Sequence, residues 1–210
     1  MADDLRVETI PVGQLATNCY IVSNEKSKLS VVIDPGDEAD KIIDLIEARG
    51  LEVTHIINTH GHFDHIGANG ALSEKTGASI YINKEDEDLL RASESDLSSL
   101  YGEAFLKSEK IKYLSGGQKI EVGKVKMKII STPGHTRGGI SLFAGHQLFV
   151  GDALFSGSIG RTDLPGGDFD TLIDSIRSRL LTLPNETIVY PGHGPNTTIG
   201  AERIANPYLK

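Results

Sequence analysis

Apolar residues recur along this chain in short runs broken by Gly, Pro and Asp, and their spacing alternates between the two-residue period of strands and the longer period of helices. Residues 5–12 and 18–23 read as strands around a short turn. Residues 29–33 form a β-branched run that stops at the turn signal Asp34-Pro35-Gly36. Ile42, Ile43, Leu45 and Ile46 share one side of a helix over 39–49, with Gly50 as its C-cap. A strand over 53–58 follows, then a helix over 66–76 stopped by Gly77, a strand over 78–82 and a short charged helix over 85–92. Residues 93–110 are polar and weakly periodic, a helix with a loop and the natural place for a flap or a partner-facing segment. Strands are expected near 119–122, 125–131, 139–144 and 147–151, with tight turns at Gly123-Lys124 and Gly145-His146. After a glycine-rich loop over 156–167, Asp168 fits as the N-cap of a helix over 169–181 whose Leu172, Ile173, Ile176 and Leu180 share a face. Residues 187–190 are the last strong strand and 200–206 the last helix.

Composition narrows the class. The 210 residues suffice for one domain with a real core, and no linker or repeat divides them. A net charge of −8 argues against general binding to nucleic acid or anionic membranes. No apolar run approaches membrane-spanning length, and the acidic start Met1-Ala2-Asp3-Asp4 lacks a signal core. Cys19 is the single cysteine, which rules out an internal disulfide and fits a reducing cytoplasm.

The chemistry gathers where strands end. Four apolar strands run through turns into His60, His135, Asp152 and His193. The first continues as His60-Gly61-His62-Phe63-Asp64-His65, three imidazoles and a carboxylate in six positions, and such groups are ligands of choice for zinc and its neighbours. His60, His62, Asp64, His65, His135, Asp152 and His193 are too many donors for one tetrahedral ion and suit two ions sharing a bridge. In extended chain His60 and His62 point the same way and can grip one ion, while Asp64 and His65, at the turn into the next helix, can face a second. Asp152 is the natural bridge, because a carboxylate has two oxygens to offer. Taken singly, Asp64 reads as an N-cap for the helix at 66, and His135 or His193 as an ordinary hydrogen-bonded histidine. Together, five of the seven histidines in such loops favour the two-metal centre. His55 reads as structural, His146 as a solvated turn residue and Cys19 as a small core residue.

These residues, in this order, resemble the signature of the metallo-β-lactamase superfamily. The resemblance implies an α/β fold, an αββα sandwich of two mixed β-sheets flanked by helices, with the site at one edge of the sheets. It further implies that His60, His62 and His135 hold one metal, that Asp64, His65 and His193 hold the other, and that Asp152 bridges them. Asp34 matches an aspartate that supports the site from behind, a role compatible with turn formation.

Three further stretches are similar to those of glyoxalase II-like hydrolases: Phe149 to Phe155, Gly157 to Pro165, and Tyr190 to Pro195 with Thr197 to Gly200. That resemblance implies a small-molecule thioester substrate, hydrolysis of S-D-lactoylglutathione to D-lactate and glutathione, and two divalent ions, zinc first and iron or manganese as alternatives. Asp64 and Asp152 would orient the attacking water, and Arg161, with Arg137 as a second candidate, would meet the thiol carrier. Arg161 could equally pin its loop through Asp163. The larger glyoxalase II enzymes carry a helical C-terminal domain that supplies basic residues to glutathione. The expectation here is one domain over 1–210 without it, and a homo-oligomer if a second subunit covers the face so exposed. Rival readings are a persulfide dioxygenase with one iron, a lactonase or β-lactamase of the same superfamily, and a non-catalytic scaffold.

Overall fold

A computed structural model describes residues 5–101, 107–123 and 125–210. In chain order the first half forms β1 (Leu5–Val12), β2 (Thr17–Asn24), β3 (Leu29–Ile33), α1 (Ala39–Arg49), β4 (Glu52–Ile57), α2 (Phe63–Ile66), α3 (Asn69–Thr76), β5 (Ser79–Asn83), α4 (Glu87–Tyr101) and β6 (Ile111–Leu114). The second half forms β7 (Lys119–Val122), β8 (Val125–Ser131), β9 (Ile140–Ala144), β10 (Gln147–Gly151), β11 (Leu154–Phe155), β12 (Ser158–Ile159), α5 (Phe169–Ser175), β13 (Ile188–Pro191), β14 (Thr197–Thr198) and α6 (Ile199–Ala205).

Strand parity assembles these into layers. On β2, Tyr20 and Val22 face one way and Cys19 and Ile21 the other, and both sets are buried. Such two-sided burial is what a strand between a sheet and a helical layer requires. Tyr20, Val22, Val31, Ile33 and Ile57 meet Ile129, Leu142, Phe149 and Tyr190 of the other sheet in the central core. On the outer face of the first sheet, Cys19, Ile21, Val32 and Ile56 pack on Ile42 and Ile46 of α1 and on Leu72 of α3. On the outer face of the second, Leu148, Val150 and Val189 pack on Leu172 of α5, Ile176, Leu180 and Ile199 of α6. The order helix, sheet, sheet, helix is the αββα sandwich expected from the sequence. Full burial of each large aliphatic side chain contributes about 1.5–3 kcal/mol, so the three cores dominate stability.

Both sheets are mixed. The first runs β1-β2-β3-β4-β5-β6 and the second β14-β13-β10-β9-β8-β7. Parallel pairing of β3, β4 and β5 carries the ends of β3 and β4 to the same edge. Parallel pairing of β10 with β13 does the same for their ends in the second sheet. Tyr20 links the sheets at that edge, with Phe149 and Tyr190 ring centroids 5.3 and 5.5 Å away. Its hydroxyl donates to the Pro191 carbonyl at 2.6 Å, just before His193.

Several elements differ from the sequence reading. The helix expected over 66–76 is two, α2 and α3. The break follows from Gly67, which lies so close to the Gly36 carbonyl that a Cβ would collide with it, and from the Ala68 amide, which donates to Pro35 instead of continuing a helical ladder. The short helix over 85–92 is a 3-10 turn leading into α4, which continues through the polar stretch to Tyr101, while β6 closes that region. Residues 102–106 of this stretch, Lys124 of the Gly123-Lys124 turn and the acidic start lie outside the described residues. The helix over 169–181 is a short α5 that widens into a π-helical turn over Ile176–Leu180, and the glycine-rich loop contributes to a small hairpin, β11 with β12. Asp168 caps α5 as expected, accepting from the Thr171 amide at 2.7 Å.

Candidate metal centre

Every donor named from the sequence arrives at this shared edge. His60 follows β4, His62 is the N-cap of α2, and Asp64 and His65 lie within its single turn. His135 follows β8, Asp152 follows β10 and His193 follows β13. Facing atoms of His60, His62 and His135 lie within 4.8 Å of one another, and so do those of Asp64, His65 and His193. Asp152 stands between: it forms a third such group with His60 and His65. One Asp152 oxygen lies 3.6 Å from both His135 Nε2 and His193 Nε2, and the other lies 3.5 Å from His65 Nε2. Asp64 is not the helix cap that its position suggested. Its Oδ2 accepts from Thr17 Oγ1 at 3.0 Å and lies 3.2 Å from His193 Nε2.

The outer nitrogens of the rings are held in a way that fixes which nitrogen faces inward. His135 Nδ1 meets the Arg161 carbonyl at 2.7 Å and His193 Nδ1 meets the Leu15 carbonyl at 3.1 Å, so each donates outward. Thr59 Oγ1 donates to Asp34 Oδ2 at 2.7 Å and so can only accept from His60 Nδ1, 3.1 Å away. Asp34 Oδ2 also lies 3.1 Å from His65 Nδ1. These contacts turn Nε2 of His60, His135 and His193 to the centre, and an outward partner of this kind is characteristic of metal-ligating histidine.

The fit to metal ions rests on atoms that otherwise lack partners. His60 Nε2, His65 Nε2 and Asp152 Oδ1 are buried with no hydrogen-bond partner among the described residues. Leaving such groups unpaired costs about 1–3 kcal/mol each. His62 Nδ1 and His135 Nε2 face each other at 3.0 Å, two ring nitrogens converging on one point. Five imidazoles and two carboxylates around orphaned buried atoms form a donor set able to hold metal ions.

Electrostatics divides the centre. Burial, then its histidine neighbours, pushes His60 well down, and burial with His135 takes His62 down to about 4. Burial opposes the charge on His65 too, but Asp152, Asp34 and Asp64 outweigh it and carry it up to about 9. Burial also works against Asp64, yet the hydrogen bond with His193, the charge on His65 and the Thr17 hydroxyl hold it well below the usual carboxylate range. His193 is raised, chiefly by its bond to Asp64. His60 and His62 are therefore held as neutral imidazoles, while the side of Asp64 and His65 is carboxylate-rich.

Asp34 occupies the predicted turn at φ +51° and accepts from both the amide and the hydroxyl of Thr59 at 2.7 Å. Arg161 forms a two-pronged ion pair with Asp163 at 2.7 and 2.8 Å, while its backbone carbonyl holds His135. Arg137 is exposed, has no ion-pair partner among the described residues, and lines a cleft of about 440 Å³ with Thr136, Gly166 and Asp168. His55 is half-buried against Tyr81, His146 is exposed in its turn, and Cys19 is buried; none joins the centre.

Sequence reasoning missed the residues that tie the loops together. Asp86, fully buried, accepts from the Gly61 amide at 3.2 Å, the Thr136 hydroxyl at 2.7 Å and the Gly138 amide at 2.6 Å. It thus joins the His60–His62 loop to the His135 loop. Asn58 donates to the His65 carbonyl at 2.9 Å, and Asn18 donates to the carbonyls of Pro191 and Gly194 on either side of His193. The available signal was a lone Asp before an apolar helix, which reads as a cap. Gly192 is required by close approach: a Cβ there would collide with Asp152 Oδ1 and press on His65.

Comparison with known proteins agrees with this geometry. The sequence model of the Metallo-beta-lactamase superfamily matches residues 12–193. Among curated relatives, a hydroxyacylglutathione hydrolase GloC from Haemophilus influenzae is 38% identical, with 98% of each chain covered. Among solved structures, the BLEG-1 B3 metallo-beta-lactamase superposes with a TM-score of 0.88 at 36% identity, covering 98% of this chain and all of its own. The protein TTHA1623, solved in a di-iron-bound form, superposes with a TM-score of 0.85 at 39% identity, covering 97% of this chain and all of its own.

Proposed function

Because this chain belongs to the metallo-β-lactamase superfamily, whose members are metal-dependent hydrolases, we propose that it is a two-metal hydrolase of thioesters, acting on acyl derivatives of small thiols such as S-D-lactoylglutathione. The observation that carries this reading is the convergence of two donor groups on Asp152, with buried ring nitrogens and a carboxylate oxygen otherwise unpartnered. The likeness to the GloC protein supports the thioester class. His60, His62 and His135 would hold one ion and Asp64, His65 and His193 the other, with Asp152 shared. Zinc suits this donor set, and iron and manganese suit it too; the di-iron neighbour favours testing iron alongside zinc.

Two ions bound here would supply hydroxide from water near neutral pH and polarise the acyl carbonyl. Asp64 and Asp152 would accept hydrogen bonds from the attacking water and orient it. Asp34 and Thr59 keep His60 and His65 in register. The departing thiol needs no strong acid from the protein, since its pKa is about 8.5. Cys19 is no rival nucleophile: burial, then the Asp34 charge, pushes its thiol far up. Arg137 would meet the carrier's acidic groups, with Arg161 chiefly holding the loop behind His135.

The test is metal analysis together with steady-state hydrolysis of S-D-lactoylglutathione. Two ions per chain and turnover with a high KM are expected, and Asp152→Asn should lower kcat/KM by at least a thousandfold and reduce bound metal. Full activity and two metals in Asp152→Asn would remove Asp152 from its bridging place. The likeness to BLEG-1 favours one second reading, hydrolysis of β-lactams or lactones. A fully metal-loaded protein inert to thioesters but active on those rings would establish it. Oxygen uptake with glutathione persulfide and one iron per chain would establish the dioxygenase instead.

A further inference from the structure

A second cleft, of about 560 Å³, opens beside the metal centre. Its described lining includes Leu15, Phe63, Asp64, Leu97 and Leu100, so it touches the centre directly through Asp64. Leu15, Phe63 and Leu100 are 54%, 47% and 75% exposed, unusually open for large apolar side chains set around one concavity. Leu15 sits in the β1–β2 turn, its carbonyl holding His193 from behind, and Phe63 stands between His62 and Asp64 on α2. Leu97 and Leu100 come from the last turns of α4, the helix that runs on through the polar stretch.

From this placement we infer that the cleft is an acyl subsite, and that the enzyme prefers thioesters whose acyl group is apolar and longer than lactoyl. The inference rests on the thioesterase reading and names the substrate class within it. Charge decides which end of the substrate enters. The described lining offers no cation: its charged residues are the carboxylates Asp37 and Asp64, and with Asp64 given to an ion the remaining charge, Asp37, repels the carboxylates or phosphates of common thiol carriers. The candidate cations, Arg137 and Arg161, lie on the His135 side, one two residues beyond His135 and the other holding its ring from the backbone. The carrier is therefore directed to the His135 side and the acyl chain to the Asp64 side, with the scissile carbonyl between them at the two-donor centre. A cleft of this volume is within the range of small-molecule sites, about 300–1,000 Å³, and its walls offer an acyl chain the apolar contact that water does not.

The experiment is a series of thioesters of one carrier, from acetyl through lactoyl and butanoyl to hexanoyl, with the metal-loaded protein. A fully buried methylene contributes about fourfold in binding, from about 0.8 kcal/mol each; in a half-open cleft roughly twofold per methylene in kcat/KM is expected. Leu100→Gln, on an exposed position of α4, should flatten that slope. A flat slope in the unmodified protein, or an unchanged slope in both Leu100→Gln and Leu97→Ser, overturns the subsite and leaves the thioesterase reading standing. Calorimetric binding of hexanoate against acetate provides a readout free of turnover. Tighter hexanoate, weakened by Leu100→Gln, supports the subsite even in a protein that hydrolyses no thioester, and that outcome would sink the thioesterase reading alone. Equal binding of the two acids overturns the subsite.

Discussion

Asp86 shows how a single carboxylate can govern a metal centre that it does not enter. Its two oxygens take three donors from two loops, so it sets the distance between the His60–His62 pair and His135. Removing such support behind ligands typically costs roughly ten- to a hundredfold in metal affinity. Asp86→Ala is expected to weaken an ion held by His60, His62 and His135 by about that factor, measured by competition with a chromogenic chelator; unchanged affinity would reduce Asp86 to a packing residue. The rings themselves make a pH prediction for protein stripped of metal. His62 falls to about 4 on folding, so its contribution is present above the unfolded value of 6.5 and is lost as pH falls towards 4. His65 rises to about 9, so its contribution is present below 6.5 and is lost as pH climbs through 9. The metal-free chain should therefore unfold at the highest temperature near pH 6.5, and a Tm that increases steadily from pH 5 to 9 would contradict the assignment. The donors of the centre were legible residue by residue, because imidazole and carboxylate chemistry is written in side-chain identity. Asp86, Asn58 and Asn18 were not, because their work is to satisfy backbone groups of loops distant in sequence, and nothing local marks that partnership.

At the scale of elements, strand ends do the positioning and glycines let them meet. β10 and β13 run parallel, and the Gly192 amide donates to the Gly151 carbonyl at 2.7 Å, which draws the Asp152 and His193 loops together. Gly192→Ala is expected to expel the shared carboxylate from its position, lowering metal stoichiometry below two while the far-ultraviolet circular dichroism of the protein is retained; two tightly bound ions in that variant would show that the loop can shift at little cost. The strands were legible because some alternate exposed and buried positions, as β7 does, while others are short apolar runs buried almost throughout, as in β3 and β10. Helix boundaries were less so. α2 and α3 share one apolar pattern, yet the Pro35-Gly36 turn interrupts them by taking the Ala68 amide, and a tertiary hydrogen bond leaves no trace in periodicity. α4 joins the short charged helix and the helix-with-loop stretch that its serines and acids kept apart in the sequence, and Leu90 and Leu97 pack on Ile66 and Ile82 to hold it as one helix.

Across the whole molecule the centre is shared unequally by the two sheets. The first supplies His60, His62, Asp64 and His65, with Asp34 behind them; the second supplies His135, Asp152 and His193. Any ion held by His60, His62 and His135, or by Asp64, His65 and His193, therefore takes ligands from both sheets. Metal binding should act as a clasp across the edge of the sandwich, in series with the Tyr20–Phe149–Tyr190 contact just inside it. Because the unfolded chain has no assembled site, a ligand present at 100 to 1,000 times its Kd adds about 2.7–4.1 kcal/mol of stability. For a chain of this size that corresponds to a rise in Tm of roughly 5–15 °C. Calorimetry of protein before and after chelation should show this rise, and His135→Ala, which takes one ligand from the second sheet only, should abolish much of it. If the metal-dependent rise survived intact when His135→Ala was combined with Asp152→Asn and His193→Ala, the ions would be held by the first sheet alone, and the clasp across the sandwich would not exist.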